Sequence, residues 1–246
     1  MHDLNIKLKN KKILIYGFGK TGIASFKYLN KENYLKVFDD NKVFLSKTIN
    51  KNFFIKKSKI KSFNFDFVIL SPGINVKNCG LKNYLKKNND KIITDLDVFY
   101  LNNPKNIKIT ITGTNGKSTT CKLLHEVLKI HKKDSRLVGN IGHSILLEKN
   151  IKPSTIFVIE ASSYQIEYSK YFNTDFAAIL NISPDHLERH GSIKNYAKAK
   201  FKLIKKQNLG AFAFIENNNK YLNNLYKNSK VVSKVIRVSN RISKIK

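Results

Sequence analysis

The sequence predicts an α/β chain built from two successive parallel-sheet units, and three observations carry that expectation. Short runs rich in Ile, Val and Phe alternate with lysine-bearing stretches of helical length, the pattern of strands buried beneath helices. Two glycine-rich loops, at 17–22 and 113–119, each follow an apolar run and open a helical stretch. Between them Asn102-Asn103-Pro104-Lys105-Asn106 forms a polar break that places a domain boundary near residue 105.

Taken in order, the first half (1–104) predicts strands at 13–16, 35–38 and 66–70 and a short one at 91–94. A helix is expected over 23–30, directly after the first glycine loop. The second half (105–246) predicts a strand at 107–112 and a helix over 117–131. Strands at 155–159, 176–182, 211–215 and 231–238 follow, with helices over 193–207 and 218–227. Residues 241–246 carry no capping helix, and repeats and low-complexity linkers are absent.

Bulk properties narrow the function classes. At 246 residues and 41% hydrophobic content the chain can bury two cores. No apolar run approaches the roughly 20 residues needed to cross a bilayer. The opening residues lead into the first strand without the apolar segment and cleavage site of a signal peptide. The two cysteines, Cys79 and Cys121, lack metal-ligand spacing, so free thiols in a reducing compartment, the cytoplasm, are expected. The net charge of +29 would draw polyanions, yet the lysines are spread over nearly every segment with no RNP, zinc-finger or recognition-helix signature. They read as solvated faces, with no specific nucleic acid and no membrane as partner.

The strongest chemical signal is Gly113-Thr114-Asn115-Gly116-Lys117-Ser118-Thr119. Such glycines let successive backbone N–H groups and a helix N-terminus face phosphate oxygens. Lys117 would then reach the terminal phosphates of ATP, and the Ser118 hydroxyl would ligate Mg²⁺. The full Walker spacing is not met, because Ile111 stands where the first glycine would fall, and an ordinary strand-to-helix turn is the competing reading. Gly17-Phe18-Gly19-Lys20-Thr21-Gly22 fits the GxGxxG fingerprint, with Asp39 ending the next strand as a ribose-binding acid would. By itself that fingerprint does not separate a nicotinamide cofactor from another nucleotide or from a tight structural turn. Ser71-Pro72-Gly73 sits at a strand's carboxyl end, where ligands of open α/β sheets bind. Glu160 ends an apolar run, as a magnesium-holding acid beside a phosphate loop does, or as an acid at a helix N-terminus does. His186 and His190, four apart, invite a zinc reading, but Leu187 stands where HExxH needs Glu.

These residues together resemble the Mur ligase family, and most of all its D-glutamate-adding branch. The carrying stretches are GFGKTG (17–22), SPGI (71–74), TGTNGKSTT (112–120), GNIG (139–142), EASSYQIE (160–167) and NISPDHLERHGSIKNYAKAK (181–200). The resemblance implies a Rossmann-like domain over 1–104 that holds the UDP end of a substrate, followed by a P-loop-type ATP-binding domain over 105–246. It implies an ATP-dependent ligase of peptidoglycan synthesis that joins D-glutamate to UDP-N-acetylmuramoyl-L-alanine and acts as a monomer. By position, Lys20, Thr21 and Asp39 would lie near the uridine, and Ser71 and Gly73 near the diphosphate. Asn41 stands where relatives place an arginine. Asn140, Ser162, Gln165 and His186 would line the muramoyl-alanine arm. Ser118, Glu160 and His186 would contact Mg²⁺, and Lys200 would take up CO₂ as a carbamate, a further metal ligand. Catalysis would rest on Lys117, His186 and Lys200. The resemblance also implies that the ATP-binding domain is incomplete and the amino-acid-binding domain absent, so the chain is expected to be a fragment. The readings outside this family are a nicotinamide-dependent oxidoreductase built on 17–22 and a basic, non-catalytic binding module.

Overall fold

A computed structural model of the chain describes residues 8–41 and 49–239. The opening residues 1–7 and the terminal 241–246, on both of which the sequence reading touched, lie outside the described residues. The chain divides into two compact units. The first comprises Met1–Pro104 with the two short segments Ser144–Lys149 and Tyr168–Phe172, and the second holds the remainder.

The first unit is a four-stranded parallel sheet in the order β2-β1-β3-β4. Its strands are β1 (Lys12–Tyr16), β2 (Tyr34–Phe38), β3 (Phe67–Leu70) and β4 (Ile92–Ile93). Ile13, Leu14, Ile15 and Tyr16 are all fully buried, which is why β1 reads as an unbroken apolar run rather than an alternating one. From β1 the chain goes to one side for β2 and to the other for β3. The carboxyl ends of β1 and β3 therefore flank a topological switch point, where open α/β sheets form a crevice.

Helix α1 (Lys20–Leu29) starts three residues before its sequence-predicted onset. The glycine loop itself supplies the first turn: a Cβ on Gly22 would sit 2.0 Å from the Gly17 carbonyl oxygen, so only glycine lets α1 close onto the loop. Helices α2 (Lys57–Ile60), α3 (Lys82–Lys87) and α4 (Asp95–Asn102) complete the unit.

The second unit is a six-stranded, wholly parallel sheet in the order β10-β9-β8-β5-β7-β6. Its elements are β5 (Ile107–Thr112), α5 (Lys117–Ile130), β6 (Ser135–Gly139), β7 (Ile156–Glu160), α6 (Ser163–Tyr168) and β8 (Phe176–Ile179). Then come α7 (Leu187–His190), α8 (Ile193–Lys205), β9 (Phe212–Glu216), α9 (Lys220–Lys227) and β10 (Lys234–Val238). Sequence periodicity missed β6, an edge strand whose Arg136 interrupts the apolar pattern. It also carried β8 three residues too far. Beyond Ile179 the backbone turns to the loop after β5, where the Asn181 carbonyl accepts from the Thr114 amide (3.0 Å). Among the described residues no helix is long and apolar enough to cross a membrane.

One buried carboxylate organises the far end of the first unit. Asp97, fully buried on α4, accepts from the Thr94 amide and hydroxyl, the reciprocal half of an N-terminal capping box. It also accepts from the Ser169 hydroxyl and from the backbone amides of Lys170, Tyr171 and Phe172 (2.8–3.0 Å). A single side chain thus satisfies three of the five backbone amides of the inserted segment Tyr168–Phe172. Asp97→Ala is expected to cost about 3 kcal/mol or more, because it strands several buried donors at once. Urea unfolding of the variant checks this, and a loss below about 1 kcal/mol would contradict it.

Candidate functional site

In the second unit the sheet order brings three strand ends together, because β5 lies between β7 and β8. The loop 113–116 leaves β5, Glu160 ends β7, and Asn181 follows β8. Gly116 adopts φ +80° as the residue preceding α5, a left-handed turn that swings the loop over the helix N-terminus. The first intrahelical amide bond is Thr120 N–H to Gly116 O, so the amides of residues 116–119 form the unsatisfied set at the start of α5. That is an anion-binding geometry.

Around it the charged groups are close. The Ser118 hydroxyl donates to Glu160 Oε2 at 2.7 Å, while Glu160 Oε1 accepts from Asn140 Nδ2 at 2.8 Å. Glu160 is only 1% exposed. Lys117 Nζ donates to the Thr114 carbonyl at 2.7 Å, folded back over the mouth of the loop. These residues fit Mg²⁺: the Ser118 hydroxyl and the Glu160 carboxyl lie together beside the amides at the start of α5, and this hard ion takes one or two protein oxygens and completes its shell with water and phosphate.

Lys200, 1% exposed on α8, lies over the Tyr196 ring (4.6 Å) and donates to Thr112 Oγ1 at 3.3 Å. Burial, reinforced by the Lys117 charge, lowers its pKa to about 7, against the pull of Asp185 and Glu160. Cys121, by contrast, is pushed up to about 12, mainly by burial, and is an inert thiol.

His186 adopts φ +51° before α7, with Nε2 3.4 Å from Asp185 and Nδ1 3.8 Å from Glu188, and its ring meets those of Tyr164 and Tyr196. His190 is buried against the Ser163 hydroxyl (3.0 Å) and stacked on Tyr164, in a packing role. Ser162 and Gln165 bond each other at the start of α6. The structure therefore brings Lys117, Ser118, Glu160 and Asn140 into direct hydrogen-bond relation with one another or with the loop, and sets Lys200 within electrostatic reach of Glu160.

Sequence reasoning passed over Asn181 and Tyr196. Asn181 Oδ1 accepts from the amides of Thr114 (3.1 Å) and Asn115 (2.8 Å), and Nδ2 donates to the Asn115 carbonyl (3.1 Å). The Thr114 hydroxyl accepts from the Ser183 amide and lies 3.4 Å from the buried Tyr196 hydroxyl. An asparagine at a strand tip is common. Only the adjacency of β8 to β5 distinguishes this one.

The first unit has a separate polar cluster at its switch point. Asp39 accepts from the Phe18 amide (2.5 Å) and the Asn41 amide (2.8 Å), so its two oxygens brace the glycine loop and the turn after β2. Ser71 Oγ donates to the Gly17 carbonyl at 2.7 Å. Lys20 and Gly73 are exposed and Thr21 half-buried.

Comparison with known proteins agrees with this architecture. Residues 111–245 match the family model of the Mur ligase middle domain. The chain is 35% identical over 223 residues to the UDP-N-acetylmuramoylalanine--D-glutamate ligase of Rickettsia bellii, covering 89% of this chain and 49% of the relative. The ligase of the same name from Caldicellulosiruptor saccharolyticus is 37% identical over 212 residues, 80% of this chain and 46% of that one. The chain thus spans about half the length of these curated relatives. A solved UDP-N-acetylmuramate:L-alanyl-gamma-D-glutamyl-meso-diaminopimelate ligase from Neisseria shares the fold, with TM-score 0.57 and 16% identity over 93% of this chain and 78% of that one.

The two buried lysines set a pH dependence. Lys108, 1% exposed on β5, is lowered to about 8 by burial, with Asp175 opposing. Each folded-state value lies below the ordinary lysine value of 10.5, so the folded chain binds fewer protons than the unfolded one in between. Stability is expected to fall as pH drops from about 10 towards about 7. Lys200→Met should remove the part of that slope nearest neutrality and leave the Lys108 part, and unfolding midpoints measured across the range check it.

Proposed function

This chain belongs to the Mur ligase family, and from that premise we propose that it carries the nucleotide-binding machinery of an ATP-dependent ligase that joins D-glutamate to UDP-N-acetylmuramoyl-L-alanine. The observation that carries the reading is the Ser118–Glu160 pair, 2.7 Å apart, beside the free amides at the start of α5. The D-glutamate assignment draws on the names of the relatives quoted above.

In this reading the amides of residues 116–119 receive the β- and γ-phosphates of ATP. Lys117 leaves the Thr114 carbonyl for the γ-phosphate, exchanging a neutral acceptor for a charged one. Ser118 and Glu160 hold Mg²⁺, which when bound neutralises the triphosphate and makes the γ-phosphoryl group electrophilic. The alanine carboxylate of the UDP substrate takes that phosphoryl group, giving an acyl phosphate and ADP. The D-glutamate amine then attacks the acyl carbon, the N–C bond forms, and inorganic phosphate leaves. The chain's contribution is to position the anions and offset their repulsion.

Asn140, Ser162, Gln165 and His186 are proposed to line the path of the muramoyl-alanine arm. His186 is also proposed as a metal ligand beside Ser118 and Glu160. Lys200 is proposed to react with CO₂: near neutrality burial keeps a large fraction of its amine uncharged, and the nitrogen lone pair forms the carbamate as a proton leaves. The resulting anion would lie near Lys117 and supply the metal with another oxygen. The first unit is proposed to hold the UDP end of the substrate, with Lys20, Thr21 and Asp39 near the uridine and Ser71 and Gly73 near the diphosphate. A nicotinamide reading of 17–22 leaves the loop 113–119 and the Ser118–Glu160 pair unexplained.

Lys117→Ala is expected to weaken binding of a non-hydrolysable ATP analogue in excess Mg²⁺ by roughly thirtyfold, the cost of one charge-assisted phosphate contact. Isothermal titration of the chain and its variant reads this, and equal affinities would remove the phosphate-loop assignment. The reaction itself is tested by phosphate release that requires ATP, UDP-N-acetylmuramoyl-L-alanine and D-glutamate together. Equal release with meso-diaminopimelate in place of D-glutamate would overturn the amino-acid assignment.

A further inference from the structure

We propose that Asn181 is the positioning residue that holds the phosphate loop open for its anion, an inference that rests on the nucleotide reading of residues 113–119. The loop starts and ends on glycines with positive φ, Gly113 at +153° and Gly116 at +80°. Glycine at both ends leaves the intervening Thr114-Asn115 peptide with little conformational restraint of its own. The restraint comes from the neighbouring strand. Asn181 Oδ1 accepts from the Thr114 and Asn115 amides, and Nδ2 donates to the Asn115 carbonyl. The Asn181 backbone carbonyl takes the Thr114 amide as well, and Ser183 N–H donates to the Thr114 hydroxyl (3.0 Å).

The chemistry of the side chain fits this task closely. A carboxamide offers an acceptor to two amides and a donor to a carbonyl at once; a carboxylate lacks the donor, and an apolar residue lacks both. Turning the Thr114 and Asn115 amides towards Asn181 also divides the work of the loop. These two amides serve its shape, and those of residues 116–119 remain for the anion. Because Asn181 begins the stretch that leads through Ser183 and Asp185 to His186, the same side chain ties the phosphate loop to the segment carrying that histidine. Asn181 therefore acts on nucleotide affinity through the loop, without touching the nucleotide.

The test titrates the wild-type chain, Asn181→Ala and Asn181→Asp with a fluorescent ADP analogue in excess Mg²⁺, from about pH 7 down to about pH 4.5, around the ordinary aspartate range. Asn181→Ala is expected to bind about tenfold more weakly than wild type at every pH, the loss of the restraining bonds. Asn181→Asp is expected to bind as weakly at neutral pH and to recover towards wild type on acidification, because the protonated carboxyl regains a donor for the Asn115 carbonyl. A purely structural role predicts no such acid recovery. Should Asn181→Ala fail to fold, the acid recovery of Asn181→Asp decides alone. Variants that bind like wild type at all pH values overturn the inference and leave the nucleotide reading standing. A wild-type chain that shows no saturable binding overturns both.

Discussion

The second unit depends on a single constraint: parallel pairing of β5 with β7 and β8, which fixes three chemically different strand ends within bonding distance. In the β5–β7 ladder Ile111 stands opposite Glu160, so the carboxylate emerges level with the start of the phosphate loop. The β5–β8 ladder does the same for Asn181 on the other side. Neither side chain could find the loop by local preference, since both are more than forty residues from it in sequence. Every backbone bond in the ladder holds the register, and a slip of one residue would turn Glu160 to the opposite face of the sheet.

That geometry creates an electrostatic problem which the site turns to use. Glu160 and Lys200 are each almost wholly buried, and isolated charges there would be costly. Glu160 meets the cost with two hydrogen bonds, from Ser118 and Asn140. Lys200 has the Tyr196 ring face and one hydroxyl, which are weaker partners, and the Lys117 ammonium opposes its charge. The outcome is a hydrogen-bonded carboxyl group within electrostatic reach of a lysine driven towards its neutral form. A buried lysine lowered in this way is commoner in a reactive site than in a structural ion pair.

Two carboxylates in the first unit, the half-buried Asp39 and the fully buried Asp97, have a different office. Asp39 and Asp97 are both committed to backbone amides, the one bracing the glycine loop and the other satisfying the inserted segment Tyr168–Phe172. Each replaces water as the acceptor for groups that the fold withdraws from solvent. A sequence motif marks Asp39 as a ligand-binding acid. In the structure its oxygens hold the loop itself, so any contact with a nucleotide would have to share them.

The sequence by itself determined the class of fold and the glycine loop that opens α5, because both are local matters. Buried parallel strands need unbroken apolar runs, and a phosphate loop needs glycines and a lysine at a helix start, so each leaves its mark within a few adjacent residues. The places of Lys117 and Ser118 at the start of α5 and of Glu160 at the end of β7 were legible for that reason. Lys200 was picked out by resemblance alone, since nothing local separates it from the other lysines, and even burial leaves it in the company of Lys108. Asn181, Tyr196, the edge strand β6 and the grip of Asp97 on residues 169–172 belong to the tertiary structure. They depend on which strands become neighbours and which side chains lose water, and those are facts of long-range pairing and desolvation that no short window of sequence contains.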